Sequence, residues 1–167
     1  MSTTVKDAAI GATSGFVASF LMDVATNAFL RRQSEASVRR QDELAPGGAP
    51  AVLVRRAARV AGVDLSVERS QRYALVLHRT LASSYGLASA VLVRPTRPPM
   101  LASLIATGAA FALVDEGLSI LRIVPAPQKW PWESHVRGVL GHLTLAVGIG
   151  ALLALADRLV GLDGRRN

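Results

Sequence analysis

Four apolar windows constrain this chain more than any other feature. Each approaches the roughly 20 residues that an α-helix needs to cross the hydrocarbon core of a bilayer. They run Ala8–Leu30, Tyr73–Val93, Met100–Leu121 and Val136–Val160. With half of the 167 residues hydrophobic, little polar surface is left for an ordinary soluble domain. The windows predict an all-α fold: one domain over 1–167, an integral membrane bundle of four transmembrane helices with a long polar loop at 31–72. A soluble bundle of very apolar helices is the competing fold. Lys6 before the first window invites a signal-peptide reading, but the run is long, no small-x-small cleavage site follows, and three more windows come after it. A retained first span is the expectation.

The connections carry most of the charge. The net charge is +7, no cysteine occurs, and disulfides, thiolate metal sites and cysteine nucleophiles are thereby excluded. Between the first two windows lie Arg31, Arg32, Arg39, Arg40, Arg55, Arg56, Arg59, Arg69 and Arg72, interleaved with Glu35, Asp42, Glu43, Asp64 and Glu68. That mixture reads as a solvated, membrane-facing loop. No aromatic platform or nucleic-acid-binding motif accompanies it, so nucleic acid is not an expected partner and anionic lipid headgroups are.

The run Ala45-Pro46-Gly47-Gly48-Ala49-Pro50 breaks the loop. After it, Ala51 to Ala61 reads as a short amphipathic helix with Leu53, Ala57, Val60 and Ala61 on one side and Arg55, Arg56 and Arg59 on another. Such a helix lies either in the interface or on the protein's own mouth. Arg94-Pro95-Thr96-Arg97-Pro98-Pro99 is a tight extended link, which makes its two spans antiparallel neighbours. Around Pro125 to Trp132, prolines and two tryptophans mark a helix end at the interface, with a lid as the alternative. The positive-inside rule favours cytoplasmic long loops and exported termini.

Ionisable groups recur at one apparent depth inside the windows. Asp23 lies seven residues before Leu30, His78 six after Arg72, Glu116 five before Leu121, and His142 seven after His135. At 1.5 Å per residue these sit about 8 to 11 Å inside one boundary. Arg79 and Asp115 adjoin them, so Asp23, His78, Arg79, Asp115, Glu116 and His142 form the candidate polar layer. Charge inside membrane-length helices is costly and marks a functional site by default. Gly11, Gly15 and Ser19 form a small-residue ridge that Asp23 and Asn27 continue at the same step; the fourth window offers Gly138, Gly141 and Gly148, with His135 and His142 on nearly one face.

Three chemistries fit this layer. The first is a proton- or cation-responsive network in which Arg79 supplies a fixed countercharge, with an ion-pair cluster that only fixes helix register as its alternative. The second is a metal site, for which His78, Glu116 and His142 are the candidates, although Glu-x-x-His spacing is absent. The third is a haem between His78 and His142. No cofactor is assigned. Gly11-Ala12-Thr13-Ser14-Gly15 lacks the serine of a nucleophile elbow, and no phosphate loop or dinucleotide fingerprint occurs. An enzyme is not expected.

A set of pieces in order resembles the YagU-like inner-membrane proteins of bacteria, a family of unknown function. The pieces are the small-residue first span ending in Met22-Asp23, His78 with Ser84-Tyr85-Gly86, Asp115-Glu116, Pro125-Ala126-Pro127, and His135 leading to Gly141-His142-Leu143. The resemblance implies a multi-pass protein of a bacterial plasma membrane and no established reaction. The leading functional expectation is proton- or ion-responsiveness, in sensing or permeation. The competing one is a non-catalytic accessory or assembly subunit that meets a larger membrane complex through its glycine-rich faces. Partners beyond the bilayer are a second copy of the chain or such a complex.

Overall fold

The computed structural model describes residues 3–113 and 117–163, and among these it contains helices and turns but no strand. The elements are α1 (Thr3–Leu30), α2 (Glu35–Leu44), α3 (Ala49–Val60), α4 (Val67–Ala88), α5 (Pro99–Phe111), α6 (Gly117–Ile120) and α7 (Trp132–Asp163). Their starts follow local chemistry. Ser34 and Ser66 cap α2 and α4, each hydroxyl accepting from the backbone N–H three residues on. Pro50 and Pro99 sit in first turns, where a missing N–H is harmless. In the first turn of α4, Glu68's own backbone N–H and the Ser66 hydroxyl hold its carboxyl below the ordinary range, which keeps negative charge at the positive end of the helix.

α1 lies between α4 and α7, and α5 packs against α7 and against the far end of α4. That far end departs from α-geometry: Ser89–Val93 forms wide π turns, followed by a 3₁₀ turn at Arg94–Thr96. Ser89, fully buried, donates its hydroxyl to the Tyr85 carbonyl at 2.7 Å and so shares the acceptors of the widened ladder.

Small side chains set the spacing. A Cβ on Gly15 would stand 2.0 Å from the Ala82 carbonyl oxygen, one on Gly86 2.1 Å from the Gly11 oxygen, and one on Gly11 2.5 Å from the Gly86 oxygen. Gly11 and Gly15 of α1 therefore meet Gly86 and Ala82 of α4 backbone to backbone, with Ala90 of the following π turns against Gly11. On the other side of α1, Gly148 receives Ala18, and Gly141 faces Met22 and Thr26. The core is correspondingly small-residued, with Ala18, Ala82 and Ala90 joined by Leu145, Ile149 and Leu153 of α7. Large apolar side chains point outward: Val24, Val76 and Leu92 are 68%, 63% and 72% exposed.

Several expectations change at this level. Among the described residues, two helices, over Thr4–Leu30 and Trp132–Leu159, are long and apolar enough to cross a membrane. The second window belongs to α4, whose first turns carry Glu68, Arg69 and Arg72 and dilute its apolarity. The third is helical as α5 for 13 residues, about 20 Å, before a wide turn at 112–113. The loop 31–72 is not simply solvated, because α2 forms within it. α3 forms as expected, but its packed side is not the expected one. Ala51 is fully buried while Val60 is 91% exposed, and Arg55 lies along α4, donating to Ser70. The link at 94–99 is a 3₁₀ turn before it becomes extended at Arg97.

Gly15→Ala and Gly86→Ala are each expected to force α1 and α4 apart and to destabilise the fold by at least the ~1–3 kcal/mol typical of overpacking. Gly108→Ala, where an added Cβ meets nothing, is the neutral control. Thermal unfolding of the purified chain in detergent measures all three.

Candidate functional site

Below the glycine contact, the α1–α4 seam turns polar. The four-residue step that places Gly11, Gly15 and Ser19 on this face places Asp23 next, and the antiparallel α4 brings His78 and Arg79 opposite it. One Arg79 nitrogen donates to Ser19 Oγ at 2.6 Å and the other to Asp23 Oδ2. The guanidinium carbon also stands 4.0 Å over the Phe20 ring, a cation–π contact that covers the flat face of the charge. His78 Nε2 is 3.4 Å from the other carboxylate oxygen, Oδ1. One carboxylate is thus shared between a permanent cation and a titratable imidazole. The Arg79 side chain retains 16% of its exposure, His78 27% and Asp23 34%.

The remaining members of the expected layer do not join this cluster. Asp115 and Glu116 lie outside the described residues. His142 sits on α7, where its Nδ1 bonds the Gly138 carbonyl at 2.9 Å and its ring packs on Phe111 with centroids 4.5 Å apart. His142 thus lines the cavity rather than the hydrogen-bonded seam, while standing near enough to His78 to act on it electrostatically. Asn27, expected to extend the ridge, is exposed. Of the candidate metal ligands, His78 and His142 belong to these different surroundings, and among the described residues no three histidine or carboxylate groups converge.

His142 belongs instead to a cavity of about 560 Å³, within the range of small-molecule pockets. Met22, Thr26 and Phe111 accompany it, and the wall includes Gln41 of α2, Trp130, His135 and Arg137. The seven-residue spacing of His135 and His142 does put both on one face, as expected. The two tryptophans part company: Trp130 turns in and donates to the Pro125 carbonyl at 3.1 Å, whereas Trp132 is 69% exposed.

Two charge networks were not anticipated from the sequence. Arg137 donates to Gln33 Oε1 at 3.1 Å and to Gln41 Oε1 at 2.6 Å, and Gln41 Nε2 in turn reaches Ser37. This network docks α2 on the start of α7. At the opposite end, Arg94 pairs with Asp157 of α7 and stands 3.7 Å from Asp7 of α1. Arg94 was assigned to a link; its only sequence signal was a charge at a window end facing acids at two others.

Arg79→Leu is expected to destabilise the fold by leaving the half-buried Asp23 carboxylate with His78 as its remaining partner in the seam. Asp23→Asn combined with Arg79→Leu should recover part of that loss, and chemical unfolding in a double-mutant cycle reads the coupling. Arg137→Ala should raise amide hydrogen exchange across Glu35–Leu44 by about tenfold or more, since hydrogen bonds to a charged group contribute roughly 1.5–3 kcal/mol.

No family model, curated protein or solved structure matches this chain, so geometry is what bears on its function.

Proposed function

We propose that the chain is a four-span integral protein of a bacterial plasma membrane, as its resemblance to the YagU-like family implies, and that it responds to protons through Asp23, His78 and Arg79. The membrane half of this reading is supported by the size inversion of the fold. Small and hydroxylated side chains, with Leu145, Ile149 and Leu153 of α7, fill the inside, and many large apolar ones cover the outside of α1, α4, α5 and α7. A soluble protein gains its stability by the reverse arrangement; in lipid, close packing of small residues replaces the hydrophobic drive. α1 and α7 are the two evident spans, and α4 and α5 complete the set.

The Asp23 carboxylate held between Arg79 and His78 carries the functional half. Arginine stays charged, whereas imidazole is the side chain that changes charge between about pH 5 and 8. With His78 neutral, Asp23 and Arg79 balance. A proton on His78 gives the seam a net positive charge beside Arg79, with His142 of α7 as the further titratable group on the neighbouring helix. The new charge is repelled by Arg79 on its own helix and attracted to Asp23 across the seam, so that it competes with Arg79 for one carboxylate, and the competition grows as pH drops. The response takes the form of a conformational change or of proton passage. No reaction is proposed.

The accessory-subunit reading has less support. Gly11, Gly15, Gly86, Gly141 and Gly148 already face the chain's own helices, so a partner would meet bulky side chains instead.

The chain has no cysteine, which allows a clean test. Thr26→Cys places one thiol in the cavity. In proteoliposomes, its labelling by a membrane-impermeant maleimide, taken relative to that of free cysteine in the same buffer so that the intrinsic loss of thiolate cancels, is expected to change between about pH 8 and pH 5, the window of imidazole titration. The change should vanish in Thr26→Cys/His78→Gln, and a pH dye enclosed in the same vesicles reports passage. Labelling and dye signal that are both indifferent to pH would sink the proton-responsive reading. Extraction of the chain from membranes by alkaline carbonate would sink the membrane reading.

A further inference from the structure

We propose that the groove between α3 and the segment at 120–129 binds the headgroup of an anionic phospholipid. The proposal rests on the membrane reading above and adds a specific site to it. Three α3 cations, Arg55, Arg56 and Arg59, line one side, and Arg122 and Lys129 come to the same groove from a part of the chain more than sixty residues away. Among the described residues, no carboxylate lines it. Its volume is about 870 Å³, and its apolar lining comes from Leu44, Val52, Val67, Ile120, Ile123 and Val124.

The cations divide by role. Arg55 is anchored, donating to Ser70 Oγ and to the Pro46 carbonyl, both at 2.7 Å, and so fixes α3 on α4. Arg56, Arg59, Arg122 and Lys129 are exposed, and none of them forms an ion pair with a described carboxylate. Asp64 shares a neighbouring recess with Arg59 without pairing to it. Forked guanidinium donors match the oxygens of a phosphodiester.

The surroundings indicate a lipid rather than a free anion. Val60, Ile120 and Leu121 stand beside the cations with 91%, 80% and 68% of their surface exposed. The outward Trp132 marks the same end of α7. Bulky apolar groups, tryptophan and arginine together are the composition of a surface at headgroup depth. Arg122 adds a backbone observation: its φ is 55°, the left-handed region in which a side chain costs conformational energy that glycine avoids. The chain keeps a cation where glycine would be easier.

That strain provides the decisive variant. Arg122→Gly relieves the backbone and removes only the charged side chain. The full chain in neutral detergent is titrated with phosphatidylglycerol, phosphatidylcholine or inorganic phosphate, and retained adducts are read by native mass spectrometry. Phosphatidylglycerol is expected to be retained over the other two. The double variant Arg56→Gln/Arg122→Gly should lose about tenfold or more of that retention, with unchanged helical circular dichroism. Equal retention of the two lipids, phosphate binding as tight as lipid, or indifference to the double variant overturns the proposal. The same chain is mixed into nanodiscs of each lipid; a chain that enters neither overturns the membrane reading and this site with it, whereas entry into both without phosphatidylglycerol preference overturns the site alone.

Discussion

The backbone contact between α1 and α4 governs the rest of the structure. Gly11, Gly15 and Gly86 leave no room for a Cβ between the helices. Once the backbones touch there, the register of the antiparallel pair is set, and short polar side chains further along can span what remains. Asp23 reaches Arg79, and Arg79 reaches Ser19, because the glycines above have fixed the separation. A wider seam would hold the same residues apart and leave their charges in an apolar setting, where unpaired ions are expensive.

A second cluster holds the other end. Arg94 ties the end of α4 to Asp157 and lies near Asp7. Asp7 and Asp23 are sixteen residues apart on α1, about 24 Å along the axis, which is close to the roughly 30 Å of a bilayer core. Between them the seam consists of small residues, and the exterior is apolar. α1 and the α4 segment of the bundle are thus pinned by charge near both ends, α7 joins them at the Arg94 end, and contact packs the middle. Ion pairs of this kind give orientation and register more than net stability.

What was legible in the sequence follows from periodicity. Gly11, Gly15, Ser19 and Asp23 declare their common face by a fixed step, and His135 and His142 do so by a spacing of seven; both faces exist. That Asp23 and His142 lie at a similar level was legible too, as Met22 and Thr26 meeting Gly141 shows, but level does not specify direction, so the spacing could not reveal that Asp23 faces α4 while His142 lines the cavity on the α7 side of α1. α2 stayed hidden because its buried polar residues, Ser37 and Gln41, satisfy each other and Arg137 through hydrogen bonds rather than through an apolar stripe. Arg122 and Lys129 meeting α3 is a long-range juxtaposition with no local signature. The third window is longer than α5, because apolarity continues past Phe111 while α-geometry gives way to a wide turn at 112–113.

That separation by α1 has a mechanical consequence. Adjacent helical residues point about 100° apart at 3.6 residues per turn, so Asp23 faces α4 while Met22 and Thr26 face Gly141 and the cavity. A rotation or shift of α1 that changes the Asp23–Arg79 contact therefore moves Met22 and Thr26 against α7. Gly141 gives them little slack, since a Cβ there would lie 2.8 Å from Thr26 and 2.9 Å from Met22. Tight packing on both faces makes the helix move as a body rather than bend locally. Under the proton response proposed above, that single helix is the link between charge on His78 and the shape of the cavity beside His142.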